Sequence, residues 1–149
     1  NEAKAYSCYS SCEAQLDYDV QFGLGICHYY GMGTYKNEDT ALQYLIMAED
    51  WHPEIPYLIA QIYLNKSDSR AIKYLSKILQ RKNVNDGIKH ETLKILSDCY
   101  RLGKCGISIN TEESDRLALE ANKYVQMDPQ QMQDYFISLT HIDFENEPL

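Results

Sequence analysis

One short pattern recurs three times along the chain. It is a leucine or isoleucine, then a small residue, then an aromatic side chain four positions after the first. The copies begin at Leu24, Ile59 and Leu96, so successive copies are 35 and 37 residues apart. Around them apolar residues recur at i, i+3, i+4 and i+7, which is the period of one helix face. A repeat of this length in a helical sequence indicates helical hairpins that bury their apolar faces against one another.

Each copy is followed by residues that can end one helix and begin another. Glycines or polar residues occupy 31–33, 65–68 and 103–106, where we expect the first helix of each hairpin to end. Asn37, Ser67 and Thr111 are the expected N-caps of the second helices. The small residue of the pattern should let the partner helix come close. The prediction is an all-α fold.

The first copy, VQFGLGICHYYGMGTYKNEDTALQYLIMAED, resembles the Sel-one-like repeat, a relative of the tetratricopeptide repeats. The residues that match the family pattern without a gap are Leu24, Gly25, Gly31, Gly33, Ala41, Tyr44 and Ala48. The copies PYLIAQIYLNKSDSRAIKYLSKIL and ETLKILSDCYRLGKCGISINTEESDRLALEAN match less closely. The resemblance implies a right-handed α-α superhelix over residues 1–140, a solenoid of about three helical hairpins with capping helices. Its units would span approximately 17–50, 54–80 and 88–124 with partial units at both ends, and 141–149 would be a flexible acidic tail.

The resemblance also implies a binding face, because the first helices of tetratricopeptide-like hairpins line a concave groove. Positions between the framework residues would then face a partner, although about half of the aromatic ones are expected to pack on neighbouring helices. These positions are Asp19, Phe22, Ile26, Tyr29, Tyr30, Glu54, Tyr57, Gln61, Leu64, Glu91, Lys94, Asp98 and Arg101. Aromatic and arginine side chains are where interface energy concentrates. We therefore predict a non-enzymatic adaptor, scaffold or inhibitor that binds another protein, and family members include bacterial immunity proteins that neutralise secreted toxins.

An enzymatic function has little support in the residue patterns. No Ser/His/Asp set, H-E-x-x-H motif or cysteine nucleophile motif can be identified. The GMG of residues 31–33 lacks the following Lys-Ser/Thr of a phosphate-binding loop. We predict no catalytic residue, no cofactor and no metal. Some secreted cysteine-rich relatives are linked to cell-wall or β-lactam ligands, so a hydrolase or a protein that binds such ligands is the alternative.

The five cysteines leave two interpretations open, disulfides or buried reduced thiols. The candidate disulfides are Cys12 with Cys27, between consecutive helices, and Cys99 with Cys105, across the end of a helix. Cys8 and Cys12 lie four residues apart and could supply half of a metal site, but no second pair completes it. The cysteines, the acidic charge and the absence of a starting methionine favour a periplasmic or secreted protein over a cytoplasmic one.

The net charge of −8 disfavours non-specific nucleic-acid binding, which needs an excess of lysine and arginine. No apolar run has the length of a membrane span, so we expect no membrane insertion. Eight of the fourteen basic residues lie between 66 and 94, against three acidic residues there. This basic stripe could attract an acidic partner, but we favour a solvated outer helix face.

Overall fold

The structure is a computed structural model that describes residues 2–11 and 17–140. All regular secondary structure in these residues is helical, which confirms the predicted all-α class. The helices are α1 (Glu2–Ser11), α2 (Tyr18–Tyr30), α3 (Glu38–Met47), α4 (Ile55–Asn65), α5 (Arg70–Gln80), α6 (Asp86–Leu102), α7 (Thr111–Ala121) and α8 (Pro129–Ser138). The predicted tail, 141–149, lies outside the described residues.

The helices belong to two compact units. The first unit joins the described residues of Asn1–Ile55 to those of Gln133–Leu149, and the second is Pro56–Met132. In the first unit, α2 packs against both α1 and α3, and in the second, α6 packs against both α5 and α7. A right-handed superhelical stack of hairpins stays a prediction.

The close helix contact of the first unit depends on Gly25. A Cβ atom built on Gly25 would lie 2.8 Å from the Cδ2 of Leu45 on α3, which is closer than real Cβ contacts allow. Leu45 is fully buried in the core, so its side chain would have to shift within the core to accept the added methyl group. The small residue of the repeated pattern therefore sets the distance between α2 and α3, as the sequence predicted.

The second unit uses the same positions with different chemistry. Ser97, the small residue of the third copy, bonds to Ser114 on α7, with its Oγ 2.8 Å from the Ser114 carbonyl oxygen. Between α4 and α5 of the same unit, the rings of Tyr63 and Tyr74 stack with centroids 5.6 Å apart. The aromatic residue of the second copy therefore packs inside its hairpin.

The helix ends show one correct cap prediction and two corrections. Asn37 caps α3, because its side chain accepts a hydrogen bond from the Thr40 backbone N–H at 3.1 Å. The cap of α7 is Asn110 rather than Thr111, which is already the first helical residue. Ser67 is no cap: it has a φ of 53°, and the side chain of Asp68 receives the Arg70 N–H instead. An N-cap residue typically has extended backbone angles, which the left-handed conformation of Ser67 does not provide.

Candidate interaction surfaces

Four of the predicted contact residues are buried in the structure. Phe22 and Ile26 have no exposed surface, and Glu54 and Tyr57 are almost fully covered. The reason in the first unit is that α2 is buried along seven consecutive residues, 21–27. Positions between its framework residues are therefore inside the fold, and Phe22 and Ile26 belong to the core.

Glu54 has a specific polar role in the first unit. The hydroxyl of Tyr135, from α8, donates a hydrogen bond of 2.6 Å to the Glu54 Oε1. Burial and this bond together raise the pKa of Tyr135, since its hydroxyl is held in the neutral, donating form. Glu54 thus fastens α8 to the turn before α4 and presents no carboxylate to a partner.

Other predicted contact residues keep part of their surface accessible. Tyr29 and Tyr30 form an edge-to-face pair with centroids 4.7 Å apart. Burial raises the pKa of Tyr29 to about 12, and the carboxylate of Glu38 adds to that effect. Asp19, Gln61 and Glu91 are half-buried.

Two of the predicted residues of the second unit come together at a cavity. Leu64 from α4 and Asp98 from α6 line a cavity of about 400 Å³ together with Ser67, Ile95, Cys99, Lys104 and Cys105. Asp98 forms a salt bridge with Arg101, one turn later on the same helix. An exposed ion pair such as the one between Asp98 and Arg101 contributes little to stability. Lys94 lies on the exposed face of α6.

Cys27, Cys99 and Cys105 have free thiols. Cys27 is fully buried, and burial raises the pKa of its thiol to about 12. The prediction of a Cys12–Cys27 disulfide involves Cys12, which lies outside the described residues. Cys99 and Cys105 line the same cavity, and burial together with the neighbouring Cys105 raises the pKa of the Cys99 thiol to about 11.

The most exposed apolar cluster of the first unit lies where α3 ends, and sequence reasoning missed it. Its residues are Tyr18, Ile46, Met47 and Trp51, with exposed fractions of 54%, 40%, 51% and 40%. They line a depression of about 380 Å³ together with Glu49 and Asp50. We call these six residues the Trp51 surface. Contiguous exposed apolar side chains in a folded protein commonly mark a binding site.

Local structure explains why these side chains are exposed. Ala41 and Leu45 occupy the buried face of α3, so Ile46 and Met47 point away from that core. The chain then turns, and the Trp51 backbone N–H donates a hydrogen bond of 2.9 Å to the Ala48 carbonyl. This bond holds the turn that carries the indole.

The Trp51 ring is supported by a series of contacts between aromatic rings. Its centroid lies 5.7 Å from that of His52, and the His52 ring lies 5.4 Å from the buried Phe22. On the other side, the centroid of Tyr18 is 6.5 Å from that of Trp51. A ring that is already ordered loses little conformational freedom when a partner covers it.

The chain segment that carries the Trp51 surface is strongly acidic. Residues 17–55 carry seven carboxylates against a single basic residue, Lys36. Two of these carboxylates, Glu49 and Asp50, line the depression itself. The signal in the sequence was therefore the only tryptophan of the chain, placed beside an acidic pair just after a helix.

Three side chains of the basic stripe, which lies within residues 66–94 of the second unit, are positioned over aromatic rings. The Arg70 guanidinium lies 4.6 Å from the ring centroid of Tyr63, and the ammonium groups of Lys73 and Lys77 lie 5.6 Å and 5.1 Å from that of Tyr74. Arg70 also forms a salt bridge of 2.6 Å with Asp68. The interaction lowers the pKa of Asp68 to about 2, chiefly through its side-chain hydrogen bond. These contacts favour a structural role for the stripe.

Within 2–11 and 17–140, no three His, Cys, Asp or Glu side chains are grouped so that they could hold a metal ion. No helix of the described ranges is both long enough and apolar enough to cross a bilayer.

The fold and its surfaces define an all-helical protein with an acidic, aromatic-lined surface. No protein-family model, no curated protein and no solved structure matches the chain.

Proposed function

We propose that this chain is a non-enzymatic interaction protein that binds a partner protein through the Trp51 surface. The observation that carries the proposal is the exposure of Trp51, Tyr18 and Met47 together on one depression. Tryptophan, tyrosine and methionine are enriched in protein interfaces, where the aromatic residues supply large contact areas at low entropic cost. Methionine can adapt to the shape of what it meets.

The chemistry of the surface favours a basic partner segment that also carries apolar side chains. An apolar side chain of the partner would fill the depression against Ile46 and Met47. An arginine or lysine beside it would lie over the Trp51 ring and close to Glu49 and Asp50. A cation over an indole contributes about 0.5–1 kcal/mol at an exposed site and more when water is excluded. The carboxylates of residues 17–55 other than the buried Glu54 would also speed the encounter with such a partner.

The finer predictions from the repeat resemblance are part of this proposal. The three recurring signatures support a right-handed solenoid of Sel-one-like hairpins. Tyr29, an accessible member of the predicted groove in the first unit, would extend the contact beyond the Trp51 surface. In the second unit, Lys94 and Arg101 are the accessible groove residues that a partner could contact. A bacterial immunity protein is one kind of binder that fits, because an acidic surface suits the neutralisation of a basic toxin. A periplasmic or secreted location would agree with that role.

Photo-cross-linking from position 51 tests the proposal. Trp51 is replaced by p-benzoylphenylalanine in the full chain, and the protein is irradiated in an extract of the cells that make it. We expect one protein to be captured, with the linked segment rich in lysine or arginine and in apolar residues. Capture should fall with Met47→Asp, which places a charge in the depression, and with rising salt.

The matched control uses Leu119, an exposed apolar residue of α7 in the second unit. A cross-linker placed at position 119 should not capture that protein. A Leu119→Asp substitution should not change its capture from position 51. If positions 51 and 119 capture the same set of proteins, or if Met47→Asp leaves capture unchanged, the Trp51 surface is not the binding site. If no protein is captured from either position, the proposal of a protein partner fails.

A further inference from the structure

Two thiols meet at the carboxyl end of α6. Cys99 lies in the last turn of the helix, and its thiol is buried. The chain reverses after Leu102 and brings Cys105 back, so that the two cysteines line one cavity. Both are free in the structure.

The loop that carries Cys105 is fastened to the end of α6. The backbone N–H of Lys104 donates a hydrogen bond of 3.0 Å to the Cys99 carbonyl, and that of Asn110 donates one of 2.8 Å to the Tyr100 carbonyl. Between these bonds Cys105 has a φ of 54°, in the left-handed region that non-glycine residues seldom adopt. The loop thus holds Cys105 beside Cys99 in a conformation it would not choose by itself.

The two thiols differ in access to solvent. Cys105 is partly exposed at a cavity of about 400 Å³, which is large enough for part of a small molecule. Cys99 is buried, and burial, with the neighbouring Cys105, raises the pKa of its thiol to about 11. Because the thiolate is the nucleophile, Cys105 is the thiol placed to react first.

We propose that Cys99 and Cys105 form a thiol–disulfide exchange site whose substrates are low-molecular-weight disulfides such as oxidised glutathione. The Cys105 thiolate attacks one sulfur of the incoming disulfide, forms a mixed disulfide and releases one small thiolate. Cys99 then loses its proton to solvent and attacks the sulfur of Cys105, which releases the second small thiolate. The chain is oxidised by two electrons, and the small disulfide is reduced to two thiols.

The bridged form would tie the loop 103–106 to α6 and close one wall of the cavity. A bond between positions 99 and 105 encloses only a short loop, so it restricts the unfolded chain less than a long-range bridge would. It would therefore be readily reversed by small thiols. The two cysteines would thus form a reversible, redox-sensitive link between the loop 103–106 and α6. This proposal does not depend on the proposed partner binding.

The remaining cysteines provide internal comparisons. Cys27 is fully buried and should not react in the folded chain. Cys8 is exposed on α1. A Cys8→Ser/Cys12→Ser background removes the two cysteines nearest the N-terminus and leaves Cys27, Cys99 and Cys105.

The test treats this full-length variant with graded ratios of oxidised to reduced glutathione, followed by acid quenching, alkylation and peptide mass spectrometry. We expect the peptides that contain residues 99 and 105 to lose two hydrogens as the ratio rises, and to regain them when reduced glutathione is added. Cys99→Ser should stop the reaction at a glutathione adduct on Cys105. Cys105→Ser should leave Cys99 reduced, and Cys27→Ser should leave the yield of the bridge unchanged.

Three outcomes would overturn the proposal: a stable glutathione adduct on Cys105 while Cys99 is present, a bridge from either residue to Cys27, or no reaction at either position. Circular dichroism of each variant shows whether it is folded. Cys99→Ala provides a second version should the buried hydroxyl of Cys99→Ser disturb the packing. A rise in the rate of the second step with pH, seen as faster decay of the Cys105 adduct, is expected because Cys99 must ionise.

Discussion

Ser97 and Ser114 exchange hydrogen bonds across the interface between α6 and α7. The Oγ of each serine donates to the backbone carbonyl oxygen of the other, and both distances are 2.8 Å. The two hydroxyl oxygens lie 2.9 Å apart, and both side chains are buried. The small residue of the third repeat copy therefore joins the helices by polar contacts as well as by close approach.

We expect Ser97→Ala and Ser114→Ala each to lower the free energy of unfolding by about 1 kcal/mol, because each removes a donor from a buried carbonyl. The better helix propensity of alanine offsets part of this loss. Urea denaturation followed by circular dichroism measures the effect. The double variant should lose less than the two single losses added together, since the bonds form one network. Strict additivity would show that the two bonds act independently.

Gly25→Ala should destabilise the first unit. The added methyl group would lie 2.8 Å from the Leu45 Cδ2, and Leu45 is fully buried. Overpacking of this kind costs about 1–3 kcal/mol, and the gain in helix propensity of about 1 kcal/mol offsets only part of it. Thermal unfolding provides the measurement.

The second variant for this contact is Leu45→Val, which shortens the opposing side chain. Combined with Gly25→Ala it should restore part of the stability, so that the double variant unfolds at a higher temperature than the two separate losses predict. If Gly25→Ala is neutral or stabilising, the distance between α2 and α3 is not set at this residue.

The success and failure of sequence reasoning follow from what helical periodicity can report. It predicts which residues lie on one face, and hence the close approach at Gly25 and the all-helical class. Helical periodicity does not show how many faces of a helix are covered by the rest of the fold. Because α2 is buried along 21–27, Phe22 and Ile26 are internal. Three residues of the Trp51 surface, Glu49, Asp50 and Trp51, lie in the turn after α3, where no period applies. A lone tryptophan beside Glu49 and Asp50 was the available signal.

His28 should make the stability of the first unit depend on pH. Its ring stacks on Tyr44 with centroids 6.0 Å apart and meets the edge of Tyr6 at 5.4 Å. Burial lowers the pKa of His28 below its ordinary value of 6.5, so the unfolded chain takes up this proton at a higher pH than the folded chain does. The stabilising effect is therefore complete above 6.5 and is lost as the pH falls from 6.5 through the folded pKa.

The matched variant is His28→Tyr, which keeps an aromatic ring at this position and removes the titrating imidazole. We expect the difference in unfolding free energy between the two proteins to shift in favour of the tyrosine variant as the pH falls below 6.5. Urea denaturation at a series of pH values measures it. A difference that is constant across this range would contradict the lowered pKa, whereas the carboxylates common to both chains cancel.

Tyr135→Phe should weaken the attachment of α8 in the first unit. The substitution removes the hydroxyl that donates to the Glu54 Oε1 at 2.6 Å and leaves the buried carboxylate with one donor fewer. A bond to a charged group contributes about 1.5–3 kcal/mol, so we expect a loss of that order in the free energy of unfolding. Glu54→Gln keeps an oxygen that can accept from Tyr135 and should cost less. Amide hydrogen exchange should show faster opening of 133–138 in Tyr135→Phe than in Glu54→Gln. Equal exchange rates in the two variants would mean that this hydrogen bond does not hold α8 in place.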